Sequence, residues 1–91
     1  MSRAKADVQI ANELGMHLRA AAAFAKLADQ FAADVTLVCD EESANGKSII
    51  AIVTLAAAKG SRVQIVADGD DADAAVAALV ALIANRFGEE S

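Results

Sequence analysis

The stretch Asn12-Glu13-Leu14-Gly15-Met16-His17-Leu18-Arg19-Ala20-Ala21-Ala22-Ala23-Phe24 joins a loop to a helix start. Gly15 breaks the chain and can take a positive φ. His17, the only histidine, follows at once, and an alanine-rich run after Leu18 favours helix. Within that run Ala20, Phe24, Leu27, Ala28 and Phe31 are spaced as one apolar stripe, with Lys26, Asp29 and Gln30 on the other side. The spacing predicts a helix over residues 18–31. A helix start exposes backbone N–H groups without intrahelical partners, and its dipole favours an anion. An imidazole there, two residues before an arginine, stands beside a ready-made phosphate cradle.

Outward from this stretch, two element types alternate. Residues 7–10 (Asp7-Val8-Gln9-Ile10) have the period of a half-buried strand. Residues 34–39 repeat it, with Val35, Leu37 and Cys39 on one face and Cys39 expected in the core. Asp40-Glu41-Glu42 is a turn, residues 42–44 are at best a short edge strand, and Asn45-Gly46 is a strong turn signal. Ser48 is placed to cap a second helix over residues 49–58, with Ile49, Ile52, Val53 and Ala56 inward. Gly60 stands where a helix-ending residue is expected. Residues 61–67 return to strand period, and Asp68-Gly69 turns the chain. Asp70 or Asp71 is expected to cap a last helix with the stripe Ala72, Val76, Leu79, Val80, Ile83 and Phe87, ended by Gly88. The order β-α-β-β-α-β-α suggests an α+β fold, a sheet with helices packed on one face.

Composition narrows the function classes. Ninety-one residues are expected to form a single domain, 1–91. Net charge is −5, against the basic stripe of a nucleic-acid binder. The acids gather late, at Asp68, Asp70, Asp71, Asp73, Glu89 and Glu90, while Arg19, Lys26, Lys47 and Lys59 lie earlier, so the middle of the chain can present a less acidic face to an acidic partner. No apolar run is long enough for membrane insertion, and the basic N-terminus lacks the apolar run of a signal peptide, so a cytoplasmic location is expected. One cysteine and one histidine leave no disulfide and no Cys/His metal site, and no cofactor is expected.

Neutral imidazole is a nucleophile near neutral pH. Phosphoryl transfer onto it asks mainly for positioning and charge stabilisation, which free helix N–H groups and the Arg19 guanidinium can supply. On residue chemistry alone, a capping or solvent-exposed histidine accounts for the same pattern.

The segment Asn12 to Ala21 resembles the active-site segment of the HPr family, the histidine phosphocarriers of the phosphoenolpyruvate-dependent phosphotransferase system. Asn45-Gly46-Lys47-Ser48-Ile49-Ile50 is similar to that family's regulatory-serine segment, and Ala57-Ala58-Lys59-Gly60 before the last strand also fits. The Asn-x-Leu-Gly-Met-His form and the Phe87-Gly88-Glu89-Glu90 tail are similar to the nitrogen-related branch, NPr. The resemblance implies an HPr-like open-faced sandwich, a four-stranded antiparallel sheet with three helices on one face. It also implies a carrier rather than an enzyme. His17 would take a phosphoryl group on Nδ1 from enzyme I, assisted by Arg19, and pass it to a IIA-type acceptor. Ser48 would be the target of an HPr kinase/phosphorylase.

The partner surface is expected to hold Met16, Leu18, Ala20, Lys47 and Ile49, and the carrier to be a monomer. Two positions depart from the usual His-(Ala/Thr)-Arg-Pro: Leu18 replaces a small residue and Ala20 a proline. These departures leave a second reading, a non-transferring regulatory adaptor on the same scaffold. A third, a ligand-binding α+β module of ferredoxin-like order, is disfavoured by the extra C-terminal helix and the absence of a glycine-rich loop.

Overall fold

The computed structural model describes residues 2–55 and 57–89. Four strands and three helices alternate as β1 (Arg3–Gln9), α1 (Leu18–Ala28), β2 (Asp34–Cys39), β3 (Glu42–Asn45), α2 (Ile49–Leu55), β4 (Arg62–Asp68) and α3 (Ala72–Ala84). The strands form one antiparallel sheet in the order β1-β4-β2-β3. This is the expected open-faced arrangement, with β3 as the edge strand. Period 2 is kept across the sheet. Ala6, Ile65, Leu37 and Ala44 form one inward row, and Val8, Val63 and Cys39 another. On the opposite face Arg3 reaches Asp68 at 3.8 Å.

The helices cover the inward face: α3 lies on β1 and β4, α2 on β3, and α1 packs on both other helices. Phe24, Ile52, Leu79 and Ile83 fill the core against Leu37, Val63 and Ile65. Small residues let α1 approach closely, since Ala20, Ala21, Ala25 and Ala28 are all buried.

Several element bounds differ from expectation, each for a physical reason. β1 starts at Arg3 rather than residue 7, because pairing with β4 recruits Ala4 and Ala6, which signal a strand weakly by themselves. Ile10 lies just past the strand, and its backbone joins the loop before β4 (Ile10 N–H to Ser61 O, 2.9 Å; Gly60 N–H to Ile10 O, 2.8 Å). α1 ends at Ala28, not residue 31, though Phe31 still packs half-buried on the core. α2 stops at Leu55, consistent with its β-branched composition. Past the helix, Ala57 O accepts the Met16 N–H at 2.8 Å. Gly60 therefore does not end the helix. It occupies a tight turn closed by Ser61 N–H to Ala58 O (2.9 Å). Ala56 and Glu90, named above for the second helix and the tail, lie outside the described residues.

Asp71 stands at the N-cap position of α3, yet its carboxylate makes no capping bond there. Its two oxygens accept the N–H groups of Ala32 and Ala33, each at 2.8 Å, tying α3 to the turn before β2. α3 itself ends at Ala84, and a 3-10 turn over Arg86–Gly88 follows, so Gly88 does not terminate the helix.

Candidate functional site

The strand order decides where His17 lies. Placing β1 beside β4 brings the β1–α1 loop against the α2–β4 loop, and Gly15 is the contact point. It has φ +64°, and a Cβ there would stand 2.6 Å from Ala57 O and 2.9 Å from Ala58 Cα. Only glycine meets both demands. Lys59 Nζ and Glu13 Oε1, 2.5 Å apart, bridge the same two loops at the surface, and the Lys59 hydrogen bond and charge lower the Glu13 pKa.

His17 is the N-cap of α1, with extended backbone (φ −75°, ψ 177°). Its ring does what an Asp or Ser does at other helix starts. Nδ1 accepts the Arg19 N–H at 3.2 Å, while the His17 carbonyl accepts the first helical N–H, that of Ala21, at 2.8 Å. The N–H groups of Leu18 and Ala20 have no hydrogen-bond partner among the described residues. Ala20 lies three residues after the cap, so a proline there would remove no intrahelical bond. The Arg19 side chain is exposed and makes no ion pair among the described residues.

On the other side of the ring, Nε2 lies 2.5 Å from Glu89 Oε2, with the His17 and Glu89 side chains 22% and 19% exposed. Glu89 Oε1 accepts a hydrogen bond from Asn12 Nδ2 at 3.0 Å, and the same amide donates to Gly15 O at 2.8 Å. Asn12 is fully buried, and its Oδ1 has no hydrogen-bond partner among the described residues. Burial pushes the Glu89 carboxyl up, but the hydrogen bonds from His17 and Asn12, with the nearby Arg19 charge, outweigh it and hold the pKa below the usual value. The chain reaches this point through two left-handed residues, Arg86 (φ 56°) and Phe87 (φ 57°). Each costs about 1 kcal/mol in a non-glycine residue. Phe87 packing on the core and the Glu89 N–H to Arg86 O bond (2.9 Å) offset this. Sequence reading named neither Asn12 nor Glu89 as a site residue. Glu89 had only the similarity of its tail as a signal.

The expected partner surface divides. Leu18 (63% exposed) and Ile49 (38%) are open to solvent, and so are Leu14 (69%) and Ile50 (74%). Met16 (3%) and Ala20 (1%) are core residues instead, because the Gly15 turn and the inward face of α1 bury them. They have no area to offer a partner. Lys47 is half-buried, with Nζ donating to Phe31 O at 2.7 Å, which satisfies a carbonyl just past the α1 C-terminus. Ser48 is half-buried, and its Oγ accepts the Ala51 N–H at 3.2 Å, the expected cap. Val53 packs at the core margin. No cluster of metal-ligating side chains occurs among the described residues, and no helix of the described residues is long and apolar enough to cross a membrane.

Comparison with known proteins follows the same lines. The family described as "PTS HPr component phosphorylation site" matches residues 4–85. The phosphocarrier protein HPr of Cupriavidus necator is 45% identical over 83 residues, covering 91% of this chain and 93% of that protein. The phosphocarrier protein NPr of Shewanella violacea is 37% identical over 91 residues, all of both chains. The crystal structure of HPr-C-His from Thermoanaerobacter tengcongensis superposes with a TM-score of 0.92 at 38% identity, over 97% of this chain and 99% of that one.

Proposed function

This chain belongs to the HPr family and is a phosphocarrier of the phosphotransferase system, and we propose that its phosphoryl group rides on Nδ1 of His17. The observation that carries this is the donor geometry at the start of α1. A backbone N–H can only donate, so the Arg19 N–H at 3.2 Å marks Nδ1 as the nitrogen with the lone pair. A phosphoryl group arriving there takes over the Arg19 N–H and meets the N–H groups of Leu18 and Ala20, with the Arg19 guanidinium free to close on two of its oxygens. Positive charge at the helix start stabilises the transferring group without any group acting as acid or base.

In this reading enzyme I supplies the phosphoryl group and a IIA-type protein removes it. Both dock on the exposed apolar side chains of Leu18 and Ile49, extended by Leu14 and Ile50. The chain works as one domain, as a monomer, in the cytoplasm, and has no turnover of its own. Ser48, at the start of α2, is the site where an HPr kinase/phosphorylase would set the carrier's affinity for enzyme I.

Incubation with enzyme I and phosphoenolpyruvate gives one acid-labile phosphate per chain, and His17→Ala gives none. Undiminished uptake by His17→Ala would sink the proposal.

A further inference from the structure

We propose that Glu89, oriented by Asn12, is the positioning residue of the His17 ring. It anchors Nε2–H, turns Nδ1 toward the helix-start N–H groups, and lies against the charge that appears on the ring when Nδ1 is phosphorylated. This rests on the reading that Nδ1 is the accepting atom.

Donor and acceptor accounting carries the inference. The Asn12 amide has two N–H groups, one given to Gly15 O and the other to Glu89 Oε1. Glu89 must therefore present an acceptor to Asn12, and a carboxylate has a second acceptor left for the ring. Its lowered pKa keeps it ionised. An ionised carboxylate cannot donate, so at 2.5 Å the proton belongs to Nε2. Each ring nitrogen is thus assigned by a different partner: Nδ1 by an obligate donor on α1, Nε2 by an obligate acceptor on the tail. The chain Asn12–Glu89–His17 has the logic of a carboxylate that orients a reactive imidazole while itself held by a third group. Glu89 lies past residues 4–85, the part matched by the family.

The transfer step shows what the carboxylate does. The Nδ1 lone pair forms the new N–P bond. The donor's bond to phosphorus breaks, and its electron pair leaves with the donor. Nε2 keeps its proton throughout, so the ring gains one positive charge, and Glu89 supplies the adjacent negative one. When an acceptor takes the phosphoryl group, the pair returns to Nδ1 and the ring is neutral again. A partly buried carboxylate also shields Nε2–H from water.

Nitrogen-15 NMR of the full-length, unphosphorylated protein tests the assignment without any partner. In the wild type the ring proton lies on Nε2 and exchanges slowly with water. Glu89→Ala speeds that exchange on the order of tenfold, and slows phosphoryl uptake at saturating enzyme I by a similar factor with KM for enzyme I unchanged. Glu89→Gln restores only part of both, because its amide turns an N–H toward Asn12 Nδ2. Equal exchange in Glu89→Ala and the wild type, or equal uptake, overturns the proposal. The exchange measurement needs no phosphate, so its outcome is separate from that of His17→Ala.

Discussion

His17 does two jobs with one ring, capping α1 through Nδ1 and meeting the C-terminal tail through Nε2. The Nδ1 cap is long for an N–H hydrogen bond, at 3.2 Å, which suits a nitrogen that must give up its bond when a phosphoryl group arrives. Gly15 is the residue on which this placement rests. Gly15→Ala adds both left-handed strain and a methyl group that cannot be cleared by a side-chain rotation, since the atoms it meets are the backbone of Ala57 and Ala58. We expect a loss of about 2–4 kcal/mol in urea unfolding. Uptake of phosphate should fall with it, because the loop that carries His17 must move. The glycine was recognisable in the sequence as a chain break. Its partner 42 residues later was not, because no local pattern encodes a contact between two loops.

At the scale of elements, α1 and α2 begin in different ways. α1 starts with an imidazole and N–H groups left open, whereas α2 starts with Ser48, whose Oγ already accepts the Ala51 N–H. A negative group at position 48 is tolerated by a helix N-terminus, so Ser48→Asp should fold as the wild type does. It places a charge beside Ile49 and Ile50, on the apolar surface proposed for docking. The expected result is a several-fold rise in KM for enzyme I with an unchanged melting temperature, checked by steady-state phosphorylation and thermal unfolding. Unchanged KM would remove Ser48 from the docking surface. Periodicity located both helix starts correctly, since caps and stripes are local signals. It overran the ends of all three helices, because termination here depends on contacts with other parts of the chain: Lys47 at Phe31 O, Met16 N–H at Ala57 O, and the tail turn at Arg86 and Phe87.

For the molecule as a whole, two carboxylates act as clasps between distant segments, Asp71 across 38–39 residues and Glu89 across 72–77. Hydrogen bonds from the Ala32 and Ala33 N–H groups lower the Asp71 pKa on folding. The stabilisation this gives is present above the unfolded-state value and is lost as pH falls through the folded one. The wild-type melting temperature should therefore hold steady above about pH 5 and drop below about pH 4. Asp71→Asn should melt lower at pH 7 and lose part of the acid-side slope, because its amide accepts only one of the two N–H groups. Circular dichroism melts between pH 3 and 7 check both statements.

The boundary between sequence and tertiary structure runs along contact range. The alternation of β2 and β4, the stripe of α1, the turn at Asn45-Gly46 and a histidine at a helix start are written in neighbouring residues, through sterics, periodicity and capping. They carried the element order, while the phosphocarrier family came from the resemblance of the Asn12–Ala21 and Asn45–Ile50 segments to those of HPr proteins. The burial of Met16 and Ala20, the diversion of Asp71 away from its own helix and the union of Asn12, His17 and Glu89 appear only once the sheet places β1 beside β4 and the tail turns back over the helix start. Each joins groups with no sequence pattern in common, and only the folded chain sets the distance between them.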